Sequence, residues 1–505
     1  MKVSRRAFLG AAGAAAVGAA GGWAIYNRAP RSAPRPENVI LIVSDAFRAD
    51  RLGALRNGKS ITPRLDALAA EGVAFTNCYS PSSWTKCSMA SILSGAYPPY
   101  HGVFTSADTL PQGCDTIASL LKRAGLTTQA IQTNLWLAPE LPTLETHGVP
   151  VKNYGFRQGF DRYLYLDFIG DDLEIGMPAY SSAEEVNNRL EYILGRTPKP
   201  MFLYIHYMET HQPWLGTNVR EFTTAYVSDR RKRSDAQVFV DDRLLVAKAF
   251  KTPEAMTPAE ITRIREIYDE AVSYVDLMIG KAIDTISASV DPAKTLLIFT
   301  GDHGDELAEH NGYGHAHTLY EEVERVPLII RGPALARGLV KTRVSNVNLY
   351  ETIKSLVYPE DSHREAIGSP LIDSKGRPMS AENDTVFAQL GSINAAEKWR
   401  LTKVVRPDGM EAIIKDDTAG KELESQVYSL VDDPGETKKL AADATALAQQ
   451  AARIERDVKA FASLHKVAYA TTEARWQKDF GQPQSDLSDE EKKLSRQLKS
   501  LGYLH

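Results

Sequence analysis

The 24 residues from Phe299 to Glu322, FTGDHGDELAEHNGYGHAHTLYEE, carry six carboxylates and four histidines. Asp302 and His303 head this run, directly after the apolar stretch KTLLIFTG. A hard carboxylate oxygen beside an imidazole nitrogen suits a divalent ion. Asp45 follows a second apolar stretch, NVILIVS, and adds another carboxylate. A third contribution comes from SSWTKCSMASILSG, where Thr85 precedes a run of small residues. A hydroxyl next to a divalent ion gives up its proton more readily. The free amides and dipole of a helix N-terminus favour an anion. Together these residues suit a divalent ion with an anionic group held beside it. The competing reading of the acidic run alone is a solvated loop.

These residues need a frame that brings them together. NVILIVS, TTQAIQTN, PMFLYIHYME and KTLLIFTGDH each read as a buried parallel strand ending in polar residues. Between them lie helical patterns: ITPRLDALAAEG with Thr62 as cap, TIASLLKRAG, SAEEVNNRLEYILG, and a long run from Thr257, with Pro258 in its first turn and Glu260 completing a capping box. Strands alternating with helices predict an α/β fold with a mostly parallel central sheet flanked by helices. Ligands of such sheets sit beyond the carboxyl ends of the strands. Asp45, Asn134, His206, Asp302 and His303 all fall there. Past residue 375 the pattern changes. DTVFAQLG, KWRLTKVVRP, EAIIKD and SQVYSLVDDP predict a small antiparallel sheet, and LSDEEKKLSRQLKSLGYL a capped terminal helix. Gly216 to Thr252, with its basic run Arg230 to Arg233, reads as a solvated insertion. The expected organisation is thus 1–36 signal and linker, 37–375 catalytic domain, and 376–505 a C-terminal α+β subdomain with its terminal helix.

The N-terminus has its own chemistry. SRRAFLG places two arginines before an Ala- and Gly-rich apolar run, and a Pro-rich linker follows. This is the pattern of a twin-arginine export signal. It predicts the twin-arginine export machinery as a partner and a periplasmic or secreted protein, with a single N-terminal membrane anchor if the segment is retained. A net charge of −5 argues against a nucleic-acid binder. Three cysteines, Cys78, Cys87 and Cys114, make neither a disulfide scaffold nor a zinc site.

The motifs VILIVSDAFRADRLG, SSWTKCSMASILSGAYPPYHGV, GFDRY, HYMETHQPW, FTGDHGDELAEHNGYGHAHTLYEEVERVPLII, YSLVDDPGETKKLA and LKSLGYL occur in that order. Together the chain resembles the sulfatase family, a branch of the alkaline-phosphatase-like superfamily. The resemblance implies one divalent ion (Mn, Mg, Zn or Ca) held by Asp45, Thr85, Asp302 and His303. It places the nucleophile at Thr85. Many sulfatases have there a cysteine, within Cys-x-Pro-x-Arg, that becomes formylglycine. Cys87 falls on the proline position instead, and Met89 and Ser91 do not continue that motif from Cys87. Threonine is similar to the phosphate-processing branches, such as lipoteichoic acid synthases. Ala46 replaces the second of two consecutive aspartates. Asn134 stands where many sulfatases have a lysine, His315 lies near another, and His211 matches a histidine beside the leaving group, a candidate general acid. The implied function is an exported, metal-dependent hydrolase of phosphate or sulfate esters, phosphate favoured, acting on a small-molecule or envelope-derived anionic ester. The alternatives are a true sulfatase, an envelope phosphoethanolamine or phosphoglycerol transferase, and an inactive binding protein on the same fold.

Overall fold

The computed structural model describes residues 34–139, 154–166, 170–172, 177–179, 182–214, 235–362, 368–379, 385–392, 397–417 and 421–440. The export segment, the run Arg230 to Arg233 and the terminal helix expected after Leu487 lie outside them. The chain alternates as expected: β1 (Asn38–Ser44), α1 (Pro63–Glu71), β2 (Val73–Tyr79), α2 (Thr85–Ser94), α3 (Ile117–Arg123), β3 (Thr127–Gln132), β4 (Arg162–Tyr165), α4 (Ala183–Leu194) and β5 (Met201–Tyr207). It continues through α5 (Pro258–Ser289), β6 (Thr295–Gly301), β7 (Arg325–Arg331), β8 (Gly338–Val340) and α6 (Leu349–Val357). The strand order is β8-β2-β7-β6-β1-β5-β3-β4. β1 lies between β5 and β6, parallel to both, while β7 runs antiparallel to its two neighbours.

This order serves the site. Val39 to Val43 of β1 are fully buried, because both sheet faces are covered by helices. Ser44 pairs in register with Gly301 and with Tyr207. The next residues of β1 and β6, Asp45 and Asp302, therefore leave the sheet side by side. Gly304 lets that turn close, since a Cβ there would run into the Glu322 carbonyl oxygen.

Two local expectations change. Thr62 does not cap α1; its hydroxyl accepts from the Gly53 amide (2.8 Å) and donates to Asp66 (2.9 Å). The Gly216 to Thr252 insertion is not all loop, because Asp235–Lys251 is helical and buries Val246 and Ala249. The capping box Thr257/Glu260 is present.

The C-terminal sheet is four antiparallel strands, β9 (Val386–Gly391), β10 (Trp399–Val405), β11 (Met410–Asp417) and β12 (Glu422–Ser429). Its first strand does not stand apart. Ala388 and Leu390 join the same apolar cluster as Cys87, Ala90 and Leu93 of α2. Among the described residues, no helix is long and apolar enough to cross a membrane.

Candidate active site

Asp45, Thr85, Asp302 and His303 are fully buried and meet where β1, β6 and α2 converge. Thr85 Oγ1 lies 3.1 Å from His303 Nε2 and 3.3 Å from Asp45 Oδ2. His303 Nε2 is 3.6 Å from Asp45 Oδ1 and 3.5 Å from Asp302 Oδ2. His303 donates its Nδ1–H to the Gly304 carbonyl at 2.9 Å, which turns the Nε2 lone pair inward.

Each carboxylate has one satisfied oxygen and one bare one. Asp45 Oδ2 accepts from Asn134 Nδ2 (2.8 Å), His206 Nε2 (3.0 Å) and the Thr85 hydroxyl. Asp302 Oδ1 accepts from the amides of Ala46 (3.0 Å) and His303 (2.9 Å). Asp45 Oδ1 and Asp302 Oδ2 are buried and accept no hydrogen bond. Leaving a buried carboxylate oxygen without a donor costs on the order of 1–3 kcal/mol or more. Asp45, Asp302 and His303 each present an atom within 4.8 Å of the others. Two bare oxygens, an imidazole lone pair and a hydroxyl form a donor set that fits a divalent cation.

The electrostatics agree. Burial pushes the Asp45 carboxyl up, but His211, His206 and His303 outweigh it and hold it well below the usual carboxylate range. Burial and the adjacent Asp45 charge push Asp302 well above that range. Two carboxylates this close and dry do not both ionise unless a cation lies between them.

The remaining expected residues gather on one side. His303 and His315 have ring centroids 4.1 Å apart, and His315 and His211 are 4.9 Å apart. A row of imidazoles thus leads away from Thr85. His315 donates Nδ1–H to Asp305 Oδ1 (2.6 Å), and Asp305 Oδ2 accepts from Trp214 Nε1 (2.6 Å). His211 donates Nδ1–H to the Gln212 carbonyl (2.7 Å). Burial lowers the His211 pKa to about 4, so this imidazole is neutral at pH 7 and must gain a proton before it can act as an acid. Asn134 Nδ2 reaches Asp45 and, at 3.4 Å, Thr85, while its Oδ1 accepts from the Trp136 amide. It therefore orients the aspartate and the hydroxyl together.

Several contributors were not assigned from sequence. His206 is held between the Tyr204 hydroxyl (2.7 Å) and Asp45, and so fixes the aspartate. The signal was its alternation with Tyr204 on one face of β5. Ser80 and Ser88 both donate to the Asp302 carbonyl. Arg48 serves the surround, where it binds Asp50, Glu309 and the Asp305 carbonyl. Cys87 faces away, with its Sγ 3.9 Å from the Gln389 carbonyl of β9. Burial pushes that thiol up to about 12, so it stays protonated.

Glu209, in the segment between β5 and His211, is a buried acid whose Oε1 accepts the Ala183 amide at 2.5 Å. Burial pushes it from 4.5 up to about 7. The folded state therefore holds this proton more tightly than the unfolded chain. The resulting stability is present below pH 4.5 and lost as the pH rises through about 7. At about 1.4 kcal/mol per pH unit the span is on the order of 3 kcal/mol. Glu209→Gln keeps the amide acceptor and removes the titration. Its melting temperature is expected to fall less than wild type's between pH 5 and pH 8 in thermal scans; parallel pH profiles would refute this.

With this geometry in place, comparison with known proteins decides the family. The sulfatase family model matches residues 37–357. The chain belongs to the sulfatase family. Among its relatives, choline-sulfatase of Rhizobium meliloti is 25% identical over 58% of this chain and 62% of its own length. Human arylsulfatase A is 26% identical over 64% of each chain. The match thus spans under two thirds of these two relatives. The solved phosphonate monoester hydrolase of Agrobacterium radiobacter shares the fold, with a TM-score of 0.64 over 85% of this chain and 96% of its own, at 20% identity. The sulfatase-like α/β fold expected from the motifs is the one observed.

Proposed function

We propose that this sulfatase-family chain is an exported, divalent-metal-dependent hydrolase of anionic esters, with Thr85 as nucleophile and phosphate esters favoured over sulfate esters. One observation carries the reading: the Thr85 hydroxyl lies 3.1 Å from His303 Nε2 and 3.3 Å from Asp45 Oδ2, at the start of a helix that no side chain caps. Asp45, Asp302, His303 and Thr85 would hold the ion, which when bound lowers the pKa of a hydroxyl and neutralises charge on the transferring group. Thr85 Oγ1 gives up its proton to solvent and attacks phosphorus as the bond to the leaving oxygen breaks. The opening amides of α2 face the anionic oxygens. Asn134 holds Asp45 and Thr85 in register. His315, steadied by Asp305, lines the side where charge develops. An anionic ester raises the His211 pKa, and the resulting imidazolium protonates the leaving oxygen. Water then cleaves the Thr85 ester and frees the enzyme. The substrate on this reading is a small-molecule or envelope-derived ester, reached after twin-arginine export.

The choice of phosphate rests on the absence of a cysteine at position 85. Formylglycine forms an adduct that can expel sulfate through its second hydroxyl, whereas a threonine ester must be opened by water. Three results are expected. Purified enzyme turns over aryl phosphodiesters faster than aryl sulfates. Mass spectrometry of the peptide from Tyr79 to Met89 finds Cys87 unmodified. Cys87→Ala retains activity within about threefold, since the change touches only core packing. A formylglycine at residue 87, or loss of turnover in Cys87→Ala with the fold intact, defeats the proposal in favour of a formylglycine sulfatase.

A further inference from the structure

A second group of ligand-bearing side chains stands apart from Thr85. His310, Glu322 and Glu436 each present one atom, and these atoms lie within 4.8 Å of one another. His310 lies in the loop after β6, Glu322 in the short helical turn Glu321–Glu324, and Glu436 in the turn after β12. His310 Nε2 and Glu322 Oε1 approach to 3.3 Å, an ion pair when the imidazole is protonated and two ligand atoms facing one point when it is not. These two atoms and Glu436 Oε1 are buried, and apart from the His310–Glu322 pair their nearest charged contact is Lys403 Nζ, 3.6 Å from Glu436 Oε1. The Glu322 and Glu436 side chains are only 7% and 0% exposed. This is the pattern seen at Asp45 Oδ1 and Asp302 Oδ2.

The three heads are held in place. Glu436 Oε2 accepts the Glu321 amide at 2.7 Å, which leaves Oε1 to point inward. The His310 ring stacks on Tyr320 with centroids 3.7 Å apart. Positive charge in the surroundings comes from Arg325, 3.7 Å from Glu321 Oε2, and from Lys403, against the carboxylates of Glu321, Glu322, Glu324, Glu411 and Glu436. Lys403 Nζ is shared among Glu321 (3.0 Å), Glu411 (2.9 Å) and Glu436 (3.6 Å). Glu324 is fully buried, and neither of its oxygens accepts a hydrogen bond. His317 is taken by Glu306 at 3.2 Å. Dry carboxylates in such excess need a further cation to remain ionised.

We propose that His310, Glu322 and Glu436 form a second divalent-cation site, of the zinc or manganese class, which fastens the C-terminal turn to the loop that carries His315. One imidazole and two carboxylates suit such ions, with water completing the shell. The inference is independent of the reading of Thr85.

The test is metal analysis of the full chain, loaded with zinc and dialysed. Wild type is expected to hold two zinc ions per chain. His310→Ala, Glu436→Gln and Asp302→Asn should each hold one, and His310→Ala combined with Asp302→Asn none. Zinc should still raise the melting temperature of Asp302→Asn but not of the double variant. Anomalous diffraction at the zinc edge should place a peak among His310, Glu322 and Glu436. A zinc count in His310→Ala equal to that of wild type, whether one or two, overturns the proposal, whereas a wild type with a single ion that His310→Ala loses leaves it standing and removes the ion from Thr85. If Glu436→Gln fails to fold, the His310→Ala count and the wild-type stoichiometry still decide it.

Discussion

Thr85→Ala is expected to lower turnover on the order of 10⁴-fold or more, as loss of a nucleophile does elsewhere. The protein should remain folded. The hydroxyl bonds only within the site, to Asp45, His303 and Asn134. Alanine is the best helix former, and it replaces threonine at the first position of α2. Asp45 Oδ2 keeps its bonds from Asn134 and His206. The net stability change should stay within about 1 kcal/mol. Steady-state kinetics together with a thermal scan check both halves. A variant with near wild-type kcat and an unchanged melting temperature removes Thr85 from the chemistry, since no other described hydroxyl shares its contacts with both Asp45 and His303.

Asp302→Asn is expected to cost at least about 10³-fold in activity and one bound ion per chain. The substitution is chosen for its geometry. Asparagine can keep the acceptor that receives the Ala46 and His303 amides, while its other atom becomes an NH₂ group that no cation accepts. A second readout separates metal loss from misfolding. Burial and Asp45 push the Asp302 carboxyl up, so stability from its held proton is lost as the pH rises and the group ionises. Without metal, the Asn variant should therefore melt above wild type at pH 8. Adding cation should then reverse the order, because saturation at 100 times Kd stabilises the binding form by about 2.7 kcal/mol. A wild-type protein whose rate survives exhaustive chelation, or an Asn variant that keeps its rate, defeats the metal assignment.

The parts of this site that were legible in sequence share one property. Asp45, Asp302 and His303 each follow a strand so apolar that its burial is unambiguous, and α/β topology puts the ends of such strands together. Thr85 was legible as a hydroxyl opening a run of small residues and, through the resemblance to the sulfatase family, as the position of the nucleophile. What could not be read depends on side-chain direction. His206 and Asn134 sit at strand ends like the others, but only three-dimensional register shows both donating to the same oxygen of Asp45. Asp305 lies three residues beyond Asp302, and nothing in the spacing says that it turns to receive His315 and Trp214. The Asp235–Lys251 helix was hidden by weak amphipathic periodicity next to a basic run. Thr62 had the residue type of a cap, yet nearby Gly53 and Asp66 competed for its hydroxyl.

The strand β9 runs behind the helix that begins at Thr85. Ala388 and Leu390 pack into that helix's core, and the Gln389 amide bonds to the Pro81 carbonyl. The C-terminal sheet is therefore not a detachable module. Recombining this protein with a cousin at residue 375 would trade away the back wall of the helix that carries Thr85, so any chimera takes the setting of that residue from both parents.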